Sequence, residues 1–311
     1  IHTERALHNF PSTGRRFHKE FIRAYTMVKR ACAMANQSIG AIDDDVAGAI
    51  ISACEDIEAG NYDEHFVTDP LSGGAGTSIN MNFNEVIANL ANRILDKNHP
   101  SSSHVSSLDT VNLHQSTNDT FPTAIRIAAL WKLERLELSL SILQENLQTK
   151  EKEFADDVMV GRTQLMDAVP LTVGQLLSTW SEAVARDRWR IFKCMERIKI
   201  VNLGGTAIGT GIGVPKTYIF KVIEILRDIT ALPIARAENP VEATGNQDQL
   251  IEVSGILSAL SSNLMKISTD LRLLSSSAFG ELLLPPKQAG STIMPGKVNP
   301  VIPEAVNQVA F

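Results

Sequence analysis

Three stretches of this chain repeat apolar residues at three- and four-residue spacing for much longer than an ordinary helix runs. From Thr123 to Ala155 they are Ile127, Leu130, Trp131, Leu133, Leu136, Leu140, Leu143, Leu147 and Phe154, the pattern of one helical face. Two further amphipathic segments cover roughly Leu171–Val201 and Val241–Ser275. Helices of that length bury their stripes by packing along one another, so a bundle is the expected solution. Ser116 or Thr120 is placed to cap the first, with Pro122 in its opening turn. Shorter helices fit His18–Gln37, Asp43–Glu58, Ser78–Leu95 and Thr217–Thr230. Alternating β-type runs are nearly absent. The expected fold is all-α, with an N-terminal helical domain over residues 1–115 and a central long-helix bundle domain over residues 116–311.

At 311 residues, 44% hydrophobic and 21% charged, the chain has the size and composition for a substantial core. A net charge of -6 gives no electrostatic reason to expect nucleic acid or an anionic membrane as partner. Positive charges fall in mixed runs such as Lys150-Glu151-Lys152-Glu153, which read as solvated helix faces. No uninterrupted apolar stretch reaches ~18 residues, so no membrane span is expected. Ile1-His2-Thr3-Glu4-Arg5 has no signal-peptide pattern. The three cysteines, Cys32, Cys54 and Cys194, are odd in number and far apart. That suits buried, reduced thiols in a cytoplasmic protein.

Unusual chemistry collects in the connections between helices. One is Ser72-Gly73-Gly74-Ala75-Gly76-Thr77-Ser78, a second His114-Gln115-Ser116-Thr117-Asn118-Asp119. A third is Gly161-Arg162-Thr163-Gln164-Leu165-Met166-Asp167, and a fourth runs from Gly204 to Gly211. Each alone reads most simply as turns and caps, with Thr77 or Ser78 opening the helix that follows. Familiar alternatives fall away. All seven histidines (His2, His8, His18, His65, His99, His104, His114) precede the third loop, and no His or Cys group has zinc-ligand spacing, so no metal site is expected. The Gly73–Ser78 loop lacks a Walker lysine, and Gly204–Gly213 has no strand before it in this reading, which weakens phosphate and dinucleotide roles. No Gly-x-Ser-x-Gly elbow occurs.

The densest chemistry lies in Gly290-Ser291-Thr292-Ile293-Met294-Pro295-Gly296-Lys297-Val298-Asn299-Pro300. Glycines let backbone N–H groups approach a ligand, and prolines stiffen the segment. Two hydroxyls, one cation and one carboxamide there can surround a small anion while a serine oxygen stays available. This run has the form Gly-Ser-x-x-Met-Pro-x-Lys-x-Asn-Pro, the signature of the fumarase/aspartase superfamily, which the chain resembles. Gly73–Asn82, Gln115–Asp119 and Gly161-Arg162-Thr163 look like its other landmarks, in the same order, and the resemblance runs from Arg5-Ala6-x-x-Asn9-Phe10 onward. Asn299–Val309, Ala237-Glu238-Asn239, Glu242-Ala243-Thr244 and Asp270–Leu274 are most similar to the aspartate ammonia-lyase branch.

The resemblance implies a homotetramer with a central multi-helix core, each active site assembled from three subunits. It implies reversible anti elimination of ammonia from L-aspartate to give fumarate, a small dicarboxylate chemistry without an organic cofactor. Ser291 is then the base. Thr163, Lys297 and Asn299 hold the α-carboxylate. Ser116, Thr117 and Thr292 bind the β-carboxylate, and Thr77, Asn118 and Gln164 surround the amino group. Fumarate hydration, or a lyase acting on a substituted aspartate, stays open beside it, as does a non-catalytic helical scaffold. Three departures stand out. Gln164 occupies a position where His is usual, Thr292 one where Ser is usual, and Ser275–Glu281 lacks a Gly-Pro-Arg-like insert. That segment is either short in its own right or lacks residues, and the end at Phe311, where family members continue, leads to the expectation that the chain is a fragment.

Overall fold

A computed structural model describes residues 1–98 and 104–311; His99 lies outside the described residues. Helices carry the chain: α1 His2–Asn9, α2 Lys19–Ser38, α3 Asp44–Glu58, α4 Thr77–Asn98, α5 Thr117–Glu153, α6 Val173–Ile198, α7 Lys216–Thr230, α8 Pro240–Gly245, α9 Asp248–Leu274 and α10 Val301–Ala310. The all-α expectation holds in outline. Four strands among the described residues qualify it: β1 Val158–Thr163 pairs antiparallel with β2 Met166–Thr172, and β3 Ile200–Val201 pairs parallel with β4 Ala235–Arg236. β1 and β2 occupy part of what the sequence suggested was a polar loop and the start of a long helix.

Packing divides the chain into one compact unit of Ile1–Leu133 with Met195–Asp248 and another of Glu134–Cys194 with Gln249–Phe311. This partition follows contacts, whereas the 1–115 and 116–311 division follows helix length. In the first unit α2 packs on α3 and α7, and α3 on α4. Alanines 24, 31, 33 and 35 of α2 are buried, and such small side chains let neighbouring backbones approach. Asp43 precedes α3 and Asp44 and Asp45 fill its first turn, favourably placed at the positive helix end. An aromatic cluster closes the core beside α4. The Phe83 ring lies 4.2 Å from that of Phe66 and 4.6 Å from that of Tyr25, with Phe21 and Phe121 next to Tyr25.

In the second unit, polar contacts join the long helices. Arg188 Nε and Nη2 donate to Glu137 at 2.8 and 2.7 Å, and Asn263 Nδ2 donates to the fully buried Asp187 at 2.7 Å. Trp180 Nε1 donates to Asp270. By length and composition α9 is apolar enough to cross a membrane, an 18-residue window of it having a mean hydropathy of 1.2, contrary to the sequence expectation of no such segment. Its Asn263 and Asp270 nonetheless pair with α6, as the polar residues of a bundle helix do. The single helix expected over Val241–Ser275 is two, because Asn246 takes an extended conformation after Gly245 and ends α8.

Phe83 is fully buried, and truncating a core aromatic costs about 3–5 kcal/mol. Phe83→Ala is expected to lower the unfolding free energy by that amount in urea titration, with loss of the near-ultraviolet signal of the cluster.

Candidate active site

Helix α5 begins at Thr117, earlier than its apolar periodicity indicates, and Ser116 is its cap. The Ser116 Oγ accepts from Asn118 N–H at 3.2 Å, and Asp119 Oδ1 accepts from Ser116 N–H at 3.0 Å. These reciprocal bonds satisfy N–H groups that a helix start leaves open. Thr120, the alternative cap, instead donates its hydroxyl to Ser116 O. Pro122 lies inside the helix rather than at its first position. Having no N–H, it leaves the Asn118 carbonyl without its helical donor, and Asn202 Nδ2 takes that place at 3.0 Å.

The same turn gathers the glycine-rich loop after β3. Asp119 Oδ2 accepts from Gly204 N–H at 3.1 Å and Thr206 N–H at 3.0 Å, and Asn118 Nδ2 donates to Ala207 O at 2.7 Å. A short strand does precede this glycine loop, which corrects the sequence reading, and β3, α7 and β4 form a parallel crossover. Two N–H groups of the loop are nevertheless occupied by an internal carboxylate rather than offered to a phosphate. Asp119 is fully buried; burial pushes its carboxyl up to about 6, against the downward pull of its three N–H bonds. The first glycine loop joins the cluster through Gly76. Its φ is +90°, and a Cβ there would stand 2.7 Å from the Phe121 ring, so only glycine brings this loop so close to α5. Thr77 follows as the first residue of α4, its hydroxyl donating to Gly74 O at 2.8 Å. Thr77, Ser116, Thr117 and Asn118 thus sit at the starts of α4 and α5, where helix dipoles and unpaired N–H groups favour anions.

Behind this turn lies a group that sequence reasoning missed. Lys29 of α2 is 1% exposed, and its ammonium donates to Asn80 Oδ1 at 2.6 Å, Gln115 Oε1 at 2.9 Å and Asn112 Oδ1 at 3.2 Å. The available signal was a lysine on the face shared with Tyr25, Cys32 and Asn36, where a solvated cation does not belong.

The remaining predicted residues fall in the second unit. Thr163 ends β1, and Gln164 and Leu165 form the hairpin turn with φ of 52° and 64°. Both angles match a tight two-residue hairpin, unusual without Gly or Asn. Arg162 braces the tip: Nη1 donates to Glu281 at 2.8 Å, Nε lies 3.1 Å from Asp167, and the guanidinium stacks over Phe279 at 4.6 Å. Farther on, Gly290 and Lys297 close a loop. Gly290 N–H donates to Lys297 O at 2.8 Å, and Asn299 Nδ2 donates to Gly290 O at 3.1 Å. A Cβ at Gly290 would lie 2.7 Å from Lys297 O, which excludes a side chain there. Inside the loop, Ser291 Oγ accepts from the N–H groups of Ile293 at 3.2 Å and Met294 at 3.3 Å. Two donors on one hydroxyl oxygen favour its anion. Thr292 and Lys297 are exposed. Among the described residues no hydrogen bond joins the Ser291 loop to Thr163 or Gln164.

Two concavities open in this unit. The larger, 960 Å³, is apolar, lined by Phe154, Leu177, Trp180 and Leu282 among others, and contains none of the predicted residues. The smaller, 440 Å³, is lined by Arg162 and Gln164 with Lys266 and Asp270. The larger space offers few polar groups to orient a dicarboxylate, whereas the smaller one presents several. Among the described residues no group of three or more His, Cys, Asp or Glu side chains is placed to hold a metal ion.

A family model described as a lyase matches residues 1–311. The chain belongs to this lyase family. An aspartate ammonia-lyase from Bacillus sp is 43% identical over all of this chain and 67% of its own length. A fumarate lyase:delta crystallin from Brucella melitensis, solved bound to cobalt, superposes with a TM-score of 0.93 at 42% identity, covering 100% of this chain and 68% of that one. A class II fumarase from Schistosoma mansoni gives 0.93 at 32%, covering 100% and 69%. The chain therefore spans about two thirds of the length of the relatives it matches. The resemblance to the fumarase/aspartase superfamily, and within it to aspartate ammonia-lyases, is borne out.

Asp119 supplies a pH test. Its folded value near 6 lies above the ordinary 3.8, so its stabilising share is complete below about 3.8 and is lost as pH rises through 6. Relative to Asp119→Asn, the parent is expected to gain on the order of 3 kcal/mol as pH falls from 7 to 4, read from paired urea titrations.

Proposed function

We propose that the protein is an aspartate ammonia-lyase, eliminating ammonia from L-aspartate to give fumarate, reversibly and with anti geometry. The observation that carries the reading is Ser291, a serine oxygen held by two backbone N–H groups on a glycine-closed loop, in a chain alike throughout to aspartate ammonia-lyases.

Ser291 Oγ, as the alkoxide, takes a proton from the carbon that bears the β-carboxylate. The electron pair moves into that carboxylate, making a dianionic aci-carboxylate. Its return expels the amine: the double bond forms, the C–N bond breaks, and the proton left on Ser291 passes to solvent. Substrate offers nothing to stabilise the extra charge, so pre-oriented donors must do so; each such donor is worth ~2.7–4 kcal/mol in studied cases. Ser116 and Thr117, at the start of α5, suit the β-carboxylate, together with Thr292. Lys297, Thr163 and Asn299 suit the α-carboxylate, although Asn299 also spends its Nδ2 closing the loop. Asn118 has its Nδ2 on Ala207 O, which leaves Oδ1 to accept from an ammonium. Thr77 and Gln164 complete the amino-group site.

A homotetramer with sites built from several copies is part of the same proposal. Exposed Leu138, Ile142, Trp189, Phe192 and Ile251 on the long helices are apolar surface that other subunits would cover. The buried thiols of Cys32, Cys54 and Cys194, none of them in a disulfide, fit a cytoplasmic setting. Fumarate hydration is the second reading, favoured by the likeness to a class II fumarase. Gln164 weighs against it, since a carboxamide cannot shuttle a proton for water.

Fumarate formation followed by absorbance, with L-aspartate and L-malate offered separately, tests the reading. Turnover of L-aspartate is expected; turnover of L-malate alone contradicts it. Ser291→Ala is expected to lower kcat by about 10²–10⁴-fold, and a loss of only a few-fold removes Ser291 as base.

A further inference from the structure

Lys29 stands apart from every residue assigned a role above. A fully buried ammonium ordinarily sits against a carboxylate, because an unpaired charge is costly in the interior. Here its three acceptors are carboxamide oxygens, from Asn80, Asn112 and Gln115. Two of these lie in the segment leading into Ser116. Asn112 Oδ1 receives donors from Lys29 and also from Asn80 Nδ2 and Asn84 Nδ2, both at 3.1 Å. Gln115 Nε2 turns back to Val111 O at 2.8 Å and Leu113 O at 3.2 Å. Farther along α2, Asn36 donates to Leu113 O and lies 2.7 Å from His114 Nδ1. Lys29 therefore holds side-chain oxygens at both ends of a folded strap. The main chain of that strap continues directly into the α5 cap.

We propose that Lys29 is a positioning residue for the Ser116–Asn118 loop, its protonated ammonium clamping Asn112 and Gln115 and the clamp opening when the ammonium loses its proton. The inference rests on the proposed substrate role of that loop, while the clamp itself is independent of it. Burial brings the Lys29 ammonium down to about 8, opposed by the ionised Asp119, so opening falls on the alkaline side of neutrality. The titratable groups acting on it are Tyr25 and Cys32 on α2, Cys54 on α3 and Asp119 on α5. Tyr25, Cys32 and Cys54 are pushed upward by burial and stay neutral where Lys29 titrates. Asp119, near 6, is already ionised there. Lys29 is thus the group that changes charge in this cluster between pH 7 and 9.5. A neutral amine can donate to only two of the three oxygens.

Asn112→Asp separates the clamp from a general structural role. It keeps the side-chain shape and turns an oxygen already receiving three donors into a carboxylate beside Lys29. An opposite charge at that distance raises a lysine by about one unit or more. Hydrogen exchange of the 111–118 peptide, corrected for the chemical rate, is expected to quicken at least tenfold between pH 7 and 9.5 in the parent. In Asn112→Asp that rise moves upward by about one pH unit, and in Lys29→Met exchange is fast at both pH values. The fall of kcat/KM for L-aspartate on the alkaline side is expected to move with it. An exchange rate independent of pH in the parent overturns the clamp, and that measurement needs no variant to fold. A rise left unmoved by Asn112→Asp overturns it equally. Exchange behaving as stated in a protein that does not turn over L-aspartate leaves the clamp standing and removes only the substrate reading.

Discussion

The carboxylate of Asp119 is the contact on which the first unit's chemistry depends. It binds the N–H groups of Ser116, Gly204 and Thr206, so one buried side chain caps α5 and closes the loop after β3. A buried carboxylate without donors would be expensive; with three it becomes a template around which two loops set their backbones. Pro122 adds to the same arrangement by leaving the Asn118 carbonyl to Asn202. Hydroxyls at the start of α5 consequently project from a braced turn rather than a mobile one. Elimination chemistry needs that bracing, since donors aimed at a developing charge help only if they need not reorganise when it appears.

In the proposed reaction the second unit carries the complementary demand. A base strong enough to remove a carbon-bound proton must be made anionic, and for Ser291 in that role the stabilising groups would be two N–H donors and a lysine of its own loop. Arg162, held by Glu281, Asp167 and Phe279, ties the hairpin tip carrying Thr163 and Gln164 to the segment approaching that loop. Each unit carries part of the residue set of the proposed reaction.

Much of this was legible from sequence where one periodic face met one core. The short helices appeared within a few residues of expectation, because Val46, Ala47, Ile50, Ala53 and Ile57 in α3, for example, repeat on a single buried face. The β1–β2 hairpin was not legible. Its strands are largely exposed, so alternation is weak, and its turn uses Gln164-Leu165 instead of glycine or asparagine. The early start of α5 was hidden because Thr117–Thr120 are polar, and their helicity comes from the Ser116–Asp119 cap, not from periodicity. The loops announced themselves as chemical by composition and order. What joins them did not, since Asp119, Asn202 and Lys29 act through contacts between residues distant in sequence.

In the proposed reaction these loops stabilise an aci-carboxylate, and a stable mimic of that species probes them. A nitro analogue of L-aspartate, with the β-carboxylate replaced by a nitro group, ionises to a nitronate with the same planar arrangement of two negatively charged oxygens. Pre-oriented donors should bind the nitronate at least ~100-fold more tightly than the KM for L-aspartate, as transition-state mimics do, with affinity rising as pH favours the ionised analogue. Binding no tighter than that of L-aspartate, with no gain on ionisation, would contradict it.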